Sequence, residues 1–199
     1  MEKTKTPGTR KSHTFIKLNS WTVEHTSLFQ PSLFIGDFGL IPVEPHDFDA
    51  LYAAASDPLI WAMHPNPFRY RLEDFRNFFQ GAIKSGGAMV VRDERTGMLC
   101  GSTRFYDWDP KKKEIFIGYT FYARKYWGTG LNAQIKRLML DYLFTHTPYV
   151  KVRFHVGKEN YRSRRAMEKL GAHYQGEVLV AYHGEPPREN VEYLIEKPS

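Results

Sequence analysis

From residue 33 onward the chain switches between two hydrophobic periods. Runs rich in β-branched and aromatic residues occupy 88–93, 99–107, 114–122 and 150–156, and the turn signals Glu94 to Gly97 and Asp107 to Pro110 separate the first three. They predict strands, the first three as an antiparallel meander. Leu33 to Val43 reads as one earlier strand interrupted by Gly36 and Gly39 and closed by Pro42. Two more strands are expected around Gly176–Tyr182 and Val191–Lys197, with a Gly184-Glu-Pro-Pro turn between them.

Helical spacing fills the gaps. One helix is predicted from near Pro45 to Ala55, stopped by Asp57-Pro58. A second carries Phe75, Phe78, Phe79 and Ile83 and ends at Gly86-Gly87. A third places Leu131, Ile135, Leu138, Tyr142 and Leu143 on one face, and a fourth follows Asn160. Strands, helix, strand, helix, strands in one domain predict an α+β fold, a mixed sheet with helices packed on its faces. No internal repeat or heptad is visible.

Composition sharpens this only in places. With 199 residues and 42% hydrophobic content the chain suits one core, so a single domain is expected over 15–199 behind a disordered basic tail over 1–14. Half of the net charge of +6 sits in that tail, where Lys3, Lys5, Arg10 and Lys11 outweigh Glu2. A basic tail can touch RNA electrostatically, but no aromatic-rich RNA-binding signature accompanies it, so nucleic acid is not expected as a partner. Phe15, Ile16, Trp21 and Phe29 suggest a segment packed across the domain, without assigned secondary structure. No apolar run of membrane-spanning length and no signal-like segment occur, so a cytoplasmic protein without a membrane partner is expected. Cys100 stands alone and is read as a small buried thiol. Scattered histidines without His-Glu-X-X-His or cysteine pairs give no metal site, and neither a Gly-X-X-X-X-Gly-Lys loop nor a dinucleotide fingerprint is present.

Two stretches carry chemistry. Tyr126-Trp127-Gly128-Thr129-Gly130-Leu131-Asn132 lies between a predicted strand and a helix, where glycines let the backbone bend and leave first-turn N–H groups pointing outward. That is either an ordinary turn or a phosphate cradle. Downstream, Asn160, Ser163 and the run Lys169-Leu170-Gly171-Ala172 follow the strand at 150–156. Together the stretches resemble the GNAT superfamily of acetyl-CoA dependent N-acetyltransferases. Trp127 before the first glycine and the Asn-X-X-Ser helix are most similar to the branch that includes the ribosomal-protein N-terminal acetyltransferases. The resemblance covers roughly residues 33 to 196 and is densest from Glu114 to Ala172.

The resemblance implies a mostly antiparallel sheet with a splayed parallel pair, and acetyl-CoA as cosubstrate held by Phe121, Tyr122, Trp127, Gly128, Thr129, Gly130, Leu131, Asn132, Asn160 and Arg165. Glu114 occupies a place where many members carry a glutamate base, though a surface glutamate fits equally. Backbone N–H groups near Phe121 and Tyr122 would meet the carbonyl's developing charge. The usual acidic tyrosine is replaced by Met167, and Ser163 offers a hydroxyl to the thiolate or else caps its helix. Trp127 and Asn132 depart from the usual residues at the cradle. Lys158, Arg162, Arg164 and Arg165 either meet the phosphates or form a solvated face. Trp61, His64, Phe68 and Arg69 are candidates for substrate contact, against a loop whose aromatics tuck inward. The acceptor is read first as a protein or peptide amino-terminus, then as a small amine, with a homodimer left open. The rival reading is an acyl-CoA-binding sensor without turnover.

Overall fold

The computed structural model describes residues 28–198. The tail over 1–14 and the apolar residues Phe15, Ile16 and Trp21 lie outside the described residues. Eight strands form one sheet: β1 Leu33–Ile35, β2 Phe38–Pro42, β3 Ala88–Asp93, β4 Leu99–Asp109, β5 Glu114–Tyr122, β6 Lys151–Gly157, β7 His173–Val180 and β8 Arg188–Glu196. They lie in the order β1-β2-β3-β4-β5-β6-β8-β7, and every neighbouring pair is antiparallel except β5 and β6. The fold is the mixed α+β arrangement expected.

Two boundaries differ from the sequence pattern. The segment from Leu33 to Val43 is a hairpin of two strands, because Gly36 takes φ +55° and turns the chain so that Leu33 pairs with Leu40. The seventh strand starts at His173, where a register irregularity between Tyr174 and Gly176 lets it continue through Gly176 at φ +141°.

Helices cover both faces. On one side α1 Phe48–Ala55, the short α2 Pro58–Trp61 and α3 Leu72–Ser85 bury Leu51, Ile60, Trp61, Phe75, Phe78 and Phe79 against Val90 and Phe121. Asp57 caps α2 by accepting from the Leu59 N–H at 2.9 Å, so the Asp57-Pro58 stop of one helix starts the next. On the other side α4 Leu131–His146 and α5 Tyr161–Leu170 pack Leu131, Ile135, Met139, Leu143 and Met167 onto Met89, Cys100, Ile115, Ile117 and Phe154. Each fully buried large side chain contributes roughly 1.5–3 kcal/mol.

What positions the site is a break in the sheet. β5 and β6 pair only at Glu114–Lys151, Ile115–Val152 and Phe116–Arg153, then separate. Where they part, β5 carries an irregularity: its pairing with β4 shifts between Ser102 and Arg104, and Tyr119 holds φ +52°. The kink sends Thr120 and Tyr122 toward α4 and Tyr119 and Phe121 toward α3.

The close approach of β4 to this kink depends on Gly101. A Cβ there would lie 2.0 Å from the Phe121 carbonyl oxygen and 2.9 Å from Tyr122 Cα, both backbone. Gly101→Ala is therefore expected to lower unfolding free energy by about 1–3 kcal/mol. A denaturant midpoint equal to wild type would contradict this packing.

Candidate active site

The gap between β5 and β6 opens into a cavity of about 950 Å³. It runs from Gly128, Gly130 and Leu131 at the start of α4, past Ile117 to Tyr122 on β5 and Phe154 to Gly157 on β6, to His64, Pro65 and Arg69 beyond.

At one end is the glycine turn. Gly128 and Gly130 hold φ +75° and +85°, and nothing lies within 4 Å of a Cβ built on Gly128. Trp127 fixes the turn by donating its indole N–H to the Tyr122 carbonyl at 3.0 Å. Thr129 does not line the cavity: its hydroxyl donates to the Tyr126 carbonyl at 2.8 Å and braces the turn from outside. Two lining side chains hold buried polar atoms without a hydrogen-bond partner among the described residues, the Tyr122 hydroxyl and Asn132 Oδ1. Such orphans are costly unless a ligand satisfies them. Arg137, Arg162, Arg165 and Lys169 line the same region. An outward-facing helix N-terminus, open backbone and four cations suit a phosphate-bearing ligand with an amide arm, so the residues present fit coenzyme A.

Of the four cations between 158 and 165, two face the cavity. Lys158 instead pairs with Glu177 at 2.8 Å, and Arg164 donates to the Lys158 carbonyl at 3.1 Å. Arg162 lies 3.6 Å over the Trp127 ring, tying α5 to the turn. Asn160 caps α5, its Oδ1 accepting from the Ser163 N–H at 3.1 Å. Ser163 lines the cavity, and its hydroxyl has no hydrogen-bond partner among the described residues, so capping is not its role.

Glu114 is elsewhere. It stands at the end of β5 that is paired with β6, outside the cavity lining, and its carboxylate accepts from Arg153 at 2.9 and 3.2 Å. Arg153, with Lys151 beyond it, holds the carboxyl below the usual range. The structure therefore does not bring Glu114 onto the cavity with the other candidate residues. Among the substrate candidates His64 and Arg69 reach the cavity, whereas Trp61 is 1% exposed with its indole N–H donating to the Ala55 carbonyl at 2.7 Å. Phe68 faces out under Arg71, 4.5 Å from its guanidinium. Arg69 forms a buried two-point pair with Glu185, at 2.9 to 3.0 Å, which ties the loop after α2 to the β7–β8 turn.

Three lining groups went unnoticed in the sequence. His155 on β6 stands just beyond the last β5–β6 pair, with Nε2 3.2 Å from Glu192 and Nδ1 3.3 Å from the Tyr106 hydroxyl. A carboxylate only accepts, so Nε2 carries the proton in the neutral ring and Nδ1 accepts from Tyr106. Burial lowers the His155 pKa against the pull of Glu192, and burial raises that of Tyr106. The alternation Lys151, Arg153, His155 against Val152, Phe154, Val156 was the available signal for this face. Lys136 is the third: 3% exposed, it donates to Thr120 Oγ1 at 2.6 Å and Thr103 Oγ1 at 3.0 Å directly behind the β5 kink.

A family model described as an acetyltransferase (GNAT) domain matches residues 37–173. The chain belongs to the GNAT acetyltransferase family, whose members use acetyl-CoA as cosubstrate. No curated protein matches it by sequence. Among solved structures, a GCN5-related N-acetyltransferase from Brucella melitensis superposes with a TM-score of 0.71 at 20% identity, covering 84% of this chain and 79% of that one. A ribosomal-protein-S5-alanine acetyltransferase from Vibrio fischeri gives 0.66 at 12% identity over 84% and 97%. A spermidine N-acetyltransferase chimera, in part from Vibrio cholerae, gives 0.62 at 17% over 81% and 96%. At these identities the likeness fixes the fold. Among the described residues no helix is long and apolar enough to cross a membrane.

Burial without a carboxylate pulls the Lys136 pKa down to about 7. Its unfolded value is about 10.4, so the unfolded chain binds more protons between those values and stability contributed at this site rises with pH from about 7 toward 10. In Lys136→Met the pH slope of unfolding free energy over that window is expected to fall by about one proton relative to wild type. Equal slopes would mean that Lys136 titrates normally.

Proposed function

We propose that the protein transfers the acetyl group of acetyl-CoA to a primary amine, first among these a protein or peptide N-terminal α-amine, by direct attack in a ternary complex. The observation that carries this reading is one continuous cavity joining the glycine turn of α4 to a His155–Tyr106 pair across the β5–β6 opening. The Trp127-Gly128 pair and the Asn160-to-Ser163 spacing support a place near the ribosomal-protein N-terminal acetyltransferases.

Acetyl-CoA supplies an acetyl group already activated as a thioester. The first-turn N–H groups of α4, with Arg137, Arg162, Arg165 and Lys169, hold its phosphates. Tyr122 and Asn132 satisfy their orphaned atoms on its amide-bearing arm. Backbone N–H groups near Phe121 and Tyr122, released where β5 leaves β6, receive the charge that grows on the carbonyl oxygen.

The acceptor must lose a proton. A free α-amine has a pKa of about 7.7–8.0, so at neutral pH the deficit is small. Tyr106 takes the amine proton on its oxygen while passing its own to His155 Nδ1, and Glu192 stabilises the imidazolium. Ser163 donates a hydrogen bond to the departing sulfur, replacing the tyrosine absent at Met167.

Acetyl-CoA at a hundred times its Kd is expected to stabilise the fold by about 2.7 kcal/mol, read as a rise in Tm absent with a nucleoside triphosphate control. No rise would remove the cofactor from this reading. His155→Ala is expected to lower kcat at pH 7 by about 10²-fold or more, with Glu114→Gln losing less than tenfold. The reverse order would return the base role to Glu114.

A further inference from the structure

Cationic acceptors such as polyamines are met by carboxylates or by open aromatic faces. This cavity offers no carboxylate, and several of its aromatic faces are occupied. Among the described residues no aspartate or glutamate lines it. Behind its wall Glu185 is committed to Arg69 and Glu192 to His155 and Arg153, and Asp107, the remaining carboxylate that acts on Arg104, Tyr106 and Tyr119, is solvent-exposed.

Three of the aromatic rings that line it, Tyr119, Trp127 and Tyr182, are already covered by the chain's own guanidinium groups. Arg69 lies 5.4 Å from the centre of the Tyr182 ring and 5.1 Å from that of Phe78. Arg104 stacks 3.9 Å from Tyr119, and Arg162 covers Trp127.

Arg104 adds an unbalanced charge. It is 3% exposed, among the described residues no carboxylate lies within ion-pair distance of it, the exposed Asp107 acting on it only from farther off, and its Nε has no hydrogen-bond partner. Its one hydrogen bond is a long one, 3.4 Å to the Phe78 carbonyl. Burial lowers its pKa to about 10, which leaves it charged at neutral pH. A buried, unpaired cation calls for an anion nearby, and Tyr119, stacked on it, lines the cavity.

We infer that the acceptor is an amine with a negatively charged group close to its amino nitrogen, which brings the countercharge that Arg104 and the cavity wall lack. This rests on the acetyl-transfer reading above and narrows its acceptor. The chemistry is shared by a peptide amino-terminus followed by acidic residues and by a free acidic amino acid. The same positive surroundings help the reaction. His64 is held neutral, its pKa near 3, by burial first and then by Arg69 and Arg162. The burial and positive charge that disfavour an imidazolium there also disfavour an ammonium on the incoming amine.

The test is a panel of acceptors with thiol release and product mass as readouts. Three peptides differ only in having acidic, neutral or basic residues at positions two and three, and free glutamate and spermidine complete the set. The acidic peptide or glutamate is expected to exceed the neutral peptide in kcat/KM by about tenfold and the basic peptide and spermidine by about a hundredfold, the advantage shrinking as salt is raised. Whichever of the two acidic acceptors is faster identifies the source. Arg104→Gln should raise KM for the acidic acceptor more than for the neutral one, and Arg104→Lys should restore part of the difference. The acetyl-CoA-induced rise in Tm shows that each variant is folded, and the panel on wild type stands without them. Spermidine or the basic peptide matching or exceeding the acidic acceptors, with that rise intact, overturns this inference and leaves acetyl transfer standing. Acetyl-CoA binding without transfer to any amine overturns both.

Discussion

The structure depends on two parallel strands that stay together for three residue pairs and then part. Backbone groups that lose their partner at a strand edge need another, and inside a folded domain water or a ligand must provide it. The chain makes the parting permanent: β5 kinks at Tyr119, whose positive φ costs of order 1–3 kcal/mol, and Gly101 lets β4 follow the kink closely. Lys136 and the hydroxyls of Thr103 and Thr120 brace it from the α4 side. From this constraint follow the cavity, the position of the glycine turn at one mouth and the place of His155 at the other.

The cofactor half of the site was legible in sequence because its parts are local. A helix start, two glycines and a capping asparagine are each read within a few residues, and the structure brings Trp127, Gly128, Gly130, Leu131, Asn132, Asn160, Ser163 and Arg165 onto one cavity. The layered α+β arrangement was legible for the same reason, since each element declares its own period.

The acceptor half was not, because it is assembled by register. Tyr106, His155 and Glu192 come from β4, β6 and β8, and only the pairing of His155 with Glu192 across two antiparallel strands makes them a chain. Glu114 lies away from the cavity, and its place at the head of β5 does not reveal in sequence which end of the strand pair opens. Trp61 and Phe68 belong to a stretch in which one backbone turn decides between core and surface, and Trp61 found the Ala55 carbonyl. Lys136 was hidden because a lysine on a helix is read as solvated, whereas here Asn132, Lys136 and Met139 share an inward face.

The strand order decides which residues the two mouths of the cavity share. β8 lies between β6 and β7, so among the described residues the only sheet neighbour of β7 is the strand that follows it. Glu192, which orients His155, belongs to that strand, and Glu185, which secures Arg69, sits in the turn that precedes it. The glycine turn and the capped helix α5 are complete in sequence well before this. In chain order the glycine turn and α5 therefore precede the wall at the far mouth, and the two lie on one cavity because β8 pairs with β6 from its place between β6 and β7.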